Sequence, residues 1–139
     1  MLLNRPFDDH TQGRIRIESE AVLTILEHCQ GGQWHLISSE VIDAEISKIL
    51  DHDKRQKVEI LAEIHQTYTI VNEFIEKRAI DLEKLTFKSY DALHIACAEK
   101  SGADVFLTTD DLLIKKALEN RDILRVRVHN PLRWLMEVI

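Results

Sequence analysis

The sequence predicts an α/β layered fold with a parallel sheet, on three observations. Short β-rich runs alternate with longer stretches of helical apolar spacing, the pattern of strands joined by crossover helices. The chain has only four glycines and two prolines and shows no linker, repeat or low-complexity segment, so residues 1–139 read as one helix-rich domain. Finally, Ser89-Tyr90-Asp91-Ala92-Leu93-His94-Ile95-Ala96 reads as a helix opening on a carboxylate, and Val105-Phe106-Leu107-Thr108-Thr109-Asp110 as an apolar strand ending on another. Acids delivered to the C-terminal ends of strands are how an α/β sheet assembles a site for a hard cation.

Taken in order, Arg14 to Gln30 carries Ile17, Ala21, Val22, Ile25, Leu26 and Cys29 at helical spacing, and Gly31-Gly32 ends the run. Trp34 to Ile37 is a short strand, and Ser38-Ser39 caps a helix from Glu40 to about Leu50. Lys54 to Gln66 is amphipathic, with Val58, Leu61, Ala62 and Ile64 on its apolar side. Tyr68 to Val71 is β-rich, and Asn72 caps a helix running to about Lys84. Ser89 caps the next helix, which reaches Lys100 and stops near Gly102. Asp104 to Thr108 is a strand, Asp111 to Glu119 a helix and Leu124 to Val128 a last strand. Asn130-Pro131 starts the terminal helix, with proline at its first position.

Composition narrows the class of function. Apolar content of 45% and charged content of 30% are ordinary for a globular chain, and no stretch approaches the roughly 20 apolar residues of a membrane span. The start, Met1-Leu2-Leu3-Asn4-Arg5-Pro6, lacks a secretory pattern, and Cys29 and Cys97 lie in apolar helical patterns without CxxC spacing. Two reduced core thiols in a cytoplasmic protein are expected. A net charge of −6 argues against a protein that coats nucleic acid through a basic face. It leaves room for a nuclease built on a carboxylate cluster, where divalent ions supply the positive charge.

Three carboxylates stand out. Glu45 has Val41, Ile42 and Ile49 as its helical neighbours, and a carboxylate amid an apolar stripe is costly unless it reaches solvent or is compensated. Asp91 lies in a first helical turn, where the dipole favours an acid, yet it shares a face with Ile95 and Ala98. Asp110 follows a strand and precedes a helix, as an N-cap does. Each has a structural explanation alone; together they sit where helices meet strand ends. His94, three residues past Asp91, shares its side but reads first as a structural histidine. Thr108 and Thr109 read as strand formers or cap partners, and Asp8-Asp9-His10 as a loop or helix start. No Ser/His/Asp signature and no phosphate-cradling glycine loop is present.

Asp91-Ala92-Leu93-His94-Ile95-Ala96-Cys97-Ala98, Gly102-Ala103-Asp104 and Leu107-Thr108-Thr109-Asp110-Asp111 resemble the PIN-domain family, especially its VapC-like ribonucleases. Ile37-Ser38-Ser39-Glu40-Val41-Ile42-Asp43-Ala44-Glu45-Ile46 is similar to the family's strand-to-helix segment carrying a glutamate. Asn4-Arg5-Pro6-Phe7-Asp8-Asp9 is similar to a loop that follows the first strand in one subgroup. The resemblance implies a three-layer α/β/α sandwich with a central parallel sheet, and RNA cleavage with Mg²⁺ or Mn²⁺ held by Glu45, Asp91 and Asp110. It also implies a homodimer, an antitoxin partner, and an Asp111 that points away from the site. The family's first acid comes from an N-terminal strand, which this chain lacks, since Met1-Leu2-Leu3 runs straight into Asn4. Three explanations compete: a true start upstream of Met1, a truncated and impaired relative serving as an interaction module, or Asp8 or Asp9 substituting. Without the strand, the fold should expose two backbone edges and lose buried apolar area, and should be destabilised or recruit another chain to its sheet edge.

Overall fold

The computed structural model describes residues 2–139. A 3-10 helix (Leu2–Phe7) leads into α1 (Gly13–Gln30), β1 (Ile37–Ser39), α2 (Glu40–Ser47), α3 (His52–Ala62) and β2 (Thr67–Thr69). The second half runs α4 (Glu73–Glu83), α5 (Ser89–Lys100), β3 (Val105–Leu107), α6 (Asp111–Glu119), β4 (Arg127–His129) and α7 (Pro131–Val138). Every helix and strand expected from the sequence is present, with shifted ends.

Most of these shifts have a local cause. β1 begins at Ile37 rather than Trp34, because Trp34 instead stacks on His28 (centroids 4.5 Å apart) and meets Trp134 edge-on (4.8 Å). α3 begins at His52 because the Asp51 carboxylate accepts from Lys54 N (3.1 Å) and caps it. Ser89 is the first residue of α5, not its cap; Lys88 holds the cap position without a side-chain bond. β4 starts at Arg127, not Leu124, because Arg125 N donates to Glu99 Oε2 (2.7 Å) rather than to a strand. The 3-10 helix at Leu2–Phe7 replaces what reads as a loop. Asn72, Asp110 and Asn130 cap α4, α6 and α7 as their positions predict.

The expected central sheet divides in two. Among the described residues β1 pairs only with β2, in register Ile37↔Thr67 to Ser39↔Thr69, and β3 only with β4, Val105↔Arg127 to Leu107↔His129. Both pairs are parallel, which requires the crossovers through α2–α3 and α6. Helices cover both faces. On one side Ile75, Ala79 and Leu82 of α4 pack against Ala92, Ile95 and Ala96 of α5, with Leu113 of α6. On the other, Val22, Ile25 and Leu26 of α1 pack with Leu3, Val58 and Leu135. This is an α/β layered architecture in which the strand layer has a gap between β1 and β3.

One buried charge ties the second helix layer together. Glu18 of α1 is 2% exposed, and Arg14 Nε (3.2 Å), Arg5 Nε (3.3 Å) and Asn130 Nδ2 (2.7 Å) surround its carboxylate. A carboxylate at this depth requires such partners.

Candidate metal centre

Glu45, Asp91 and Asp110 come from α2, the first turn of α5 and the start of α6, and all three line one crevice at the C-terminal ends of β1 and β3. This opening, lined by residues of both strand pairs, is the usual place for a ligand in an open α/β sheet. His94 and Thr108 line the same crevice.

Each acid is held by a different device. His94 Nε2–H donates to Glu45 Oε1 (2.8 Å), joining α5 to α2. Burial works against the Glu45 charge, but the His94 hydrogen bond and charge outweigh it and hold the carboxyl below its ordinary range. Asp110 Oδ1 accepts from Leu112 N (3.0 Å) and Leu113 N (3.2 Å), while Asp110 N donates to Thr108 Oγ1 (3.2 Å). That cap uses one Asp110 oxygen. Asp91 has neither device. Burial raises its carboxyl pKa, the Asp110 charge raises it further, and Glu45 adds to the same effect against the opposing pull of His94.

The donor chemistry fits a hard divalent cation, since carboxylate oxygens are its preferred ligands and Asp91 is destabilised by negative charge that a cation would offset. Among the described residues, however, no three His, Cys, Asp or Glu side chains close into a ready cage. The acids share a crevice and an electric field rather than direct contact.

The remaining candidates lie elsewhere. Asp111 is exposed and binds the Arg14 guanidinium at 2.6 and 2.8 Å, facing away from the crevice. Arg14 holds the Asp111 carboxyl below its usual range and also donates to the Thr109 carbonyl (3.1 Å). Asp8 pairs with Arg5 (3.3 Å) and Lys54 (3.0 Å), and Asp9 accepts from Thr11, so both are engaged away from the crevice. Thr108 acts as the cap partner expected of it. His94 is the residue whose weight the structure changes most. It is buried and tilted against Phe106, as a structural histidine would be, yet its Nε2 faces Glu45. Its spacing from Asp91 carried that signal; the contact of Arg14 with Asp111, across 97 positions, left none in the sequence.

The arrangement defines an α/β protein with a carboxylate-lined crevice at its strand ends. Residues 12–118 match the PIN domain family, and the chain belongs to it. PIN domains are in general nuclease domains, typically dependent on divalent metal ions. No curated protein and no solved structure matches the chain. No helix among the described residues is long and apolar enough to cross a membrane.

Proposed function

We propose that this chain is a metal-dependent endoribonuclease of the VapC-like type, hydrolysing RNA phosphodiester bonds as the toxin of a toxin–antitoxin pair. The observation that carries this reading is the state of Asp91, a half-buried acid whose carboxyl is pushed up by burial and by two neighbouring acids in one crevice. Placing like charges together at a strand-end opening costs stability, which is characteristic of a site built for an ion rather than for the fold. In this reading Glu45, Asp91 and Asp110 hold Mg²⁺ or Mn²⁺. A divalent ion supplies Lewis acidity, making water a stronger acid and offsetting the charge of the phosphate. His94 orients the Glu45 carboxylate, and the turn at Thr108 fixes Asp110. No side chain acts as nucleophile.

The groove beside the crevice supports a polyanionic substrate. Arg14, Arg121, Arg125, Arg127 and Arg133 line one groove of about 1020 Å³, next to Asp111, in a chain whose net charge is −6. Arginine forks suit phosphate, and their concentration on one face of an acidic protein gives an RNA strand a path to the acids.

The family's first acid and the strand that carries it are proposed to be encoded upstream of Met1, a reading supported by the gap between β1 and β3. The in-frame sequence upstream tests this: an apolar run followed by Asp-Thr is expected, and a stop codon in its place refutes it. The protein is further proposed to act in the cytoplasm, in keeping with two buried, free thiols at Cys29 and Cys97, and to form a homodimer with an antitoxin chain, as the family resemblance suggests.

Asp91→Asn tests the nuclease reading directly. The substitution should abolish Mn²⁺-dependent cleavage of RNA while far-ultraviolet circular dichroism stays unchanged. Full activity in that variant would sink the assignment of Asp91.

A further inference from the structure

An arginine and a buried carboxylate that no step of the proposed reaction uses converge on the turn that carries Asp110. Thr108, Thr109 and Asp110 lead out of β3, and Asp111 opens α6. Two fastenings of this turn lie beside it: Thr108 N donates to the His129 carbonyl (3.0 Å), and Asp110 Oδ1 caps α6. The third comes from α1, 95 and more positions away. Arg14 donates to both Asp111 carboxylate oxygens (2.6 and 2.8 Å) and to the Thr109 carbonyl (3.1 Å). One guanidinium fork therefore holds the residues on both sides of Asp110.

Arg14 is itself held from behind. Its Nε donates to Glu18 Oε2 (3.2 Å), one turn further along α1, and Asn130 Nδ2 donates to the same buried oxygen (2.7 Å). Four of the five guanidinium N–H groups are thus engaged inside the protein, which leaves little of the fork for a phosphate in the groove it lines. A guanidinium bound at Nε on one side and at Nη1 and Nη2 on the other has its plane fixed, as an ammonium would not. The pair with Asp111 is exposed, and exposed ion pairs add little stability by themselves. What this one does is fix a backbone position. Asp110 depends on that, because Oδ1 is spent on Leu112 N and Leu113 N, and only Oδ2 is left to face a cation.

We infer that Arg14 is a positioning residue of the acid site: through the Thr109 carbonyl and Asp111 it holds the turn that aims Asp110, and Glu18 holds Arg14, an assignment that rests on reading Glu45, Asp91 and Asp110 as a metal centre. Groups that orient metal ligands without touching the ion govern affinity nearly as much as the ligands do.

The clamp is tested first in EDTA, without metal or RNA, by residue-resolved hydrogen exchange. Arg14→Ala should speed exchange several-fold at Leu112 and Leu113, whose amides Asp110 caps, and leave Ile75, capped by Asn72 on α4, unmoved. Asp111→Ala leaves Glu18 both its Arg14 and Asn130 partners, so it folds even if Arg14→Ala does not, and should speed the same two amides to a smaller extent. The double variant should exchange no faster than Arg14→Ala alone, since both changes release one clamp. Mn²⁺ affinity, read by calorimetry, should then fall about tenfold in Arg14→Ala. Arg14→Lys, which keeps the charge without the fork, should recover only a small part of it. Glu137→Ala, which breaks an exposed ion pair of the same kind with Arg127 (2.7 Å), should leave Mn²⁺ affinity unchanged. Additive exchange effects, undiminished Mn²⁺ affinity in Arg14→Ala, full recovery with lysine, or an equal loss in Glu137→Ala would each overturn the inference. A parent chain that takes up no Mn²⁺ would refute the metal centre instead, and the exchange measurements would still decide whether Arg14 holds the turn.

Discussion

The half-buried carboxyl of Asp91 ties function to stability at a single residue. Its pKa is raised in the folded protein, so the folded state binds more protons than the unfolded chain through that range. Its contribution to stability is present below the ordinary aspartate pKa and is lost as pH rises through the raised one. Asp91→Asn removes the repulsion along with the charge. In EDTA at neutral pH the variant should melt a few degrees above the parent, and the gap should close in acid, below the ordinary aspartate range. Mn²⁺ should raise the melting temperature of the parent and leave the variant unmoved. A variant less stable than the parent at neutral pH would contradict the electrostatic account. His94 acts through another residue. His94→Ala leaves Glu45 half-buried without its donor, at a cost of about 1–3 kcal/mol, and should weaken Mn²⁺ binding in a calorimetric titration. His94→Gln keeps an N–H donor and should recover part of both losses.

Helices were legible in the sequence because capping and apolar spacing are local. Asn72, Asp110 and Asn130 each accept backbone N–H groups where a cap was expected. Strand limits were less legible, since a three-residue strand is decided by its neighbour: Trp34 has the composition of a strand but stacks with His28 and Trp134. The three acids were legible as misfits in apolar or strand-end positions, whereas the role of His94 depended on Glu45, 49 positions away. The division of the sheet into two pairs was not legible, because no residue of β1 or β3 records what its other edge faces. Asn130 joins local and distant order: its Oδ1 caps α7 and its Nδ2 donates to buried Glu18. Asn130→Ala should therefore cost more than a cap alone, roughly 2–3 kcal/mol, read from the urea midpoint. Asn130→Ser restores the cap without reaching Glu18 and should recover about 1 kcal/mol. Full recovery with serine would show that the bond to Glu18 contributes nothing.

Across the whole molecule, the distribution of charge matters more than its sum. The net charge of −6 is a poor guide to substrate, because acids gather in the crevice while five arginines line the adjoining groove. The arginines there differ in availability. Arg14 is committed to Asp111 and Glu18, Arg127 to Glu137 at 2.7 Å, and Arg121 donates to the Leu118 carbonyl (3.2 Å), whereas the side chains of Arg125 and Arg133 form no ion pair or hydrogen bond among the described residues. Those two are the natural phosphate contacts. A protein that neutralises phosphates releases counterions, so log K falls with log salt by about 0.7 for each phosphate contacted on a single strand. Replacing Arg125 and Arg133 together with Gln should reduce that slope by about 1.4, measured by fluorescence anisotropy on single-stranded RNA in the Asp91→Asn background, where no cleavage intervenes. The same pair of changes should weaken binding to all sequences alike, since phosphate contacts carry no base information. Replacing Lys57 and Lys77, which lie outside the groove, provides the comparison at equal net charge. An equal loss of slope from the lysine pair would mean that RNA responds only to total charge, and the groove would then have no special claim on the substrate.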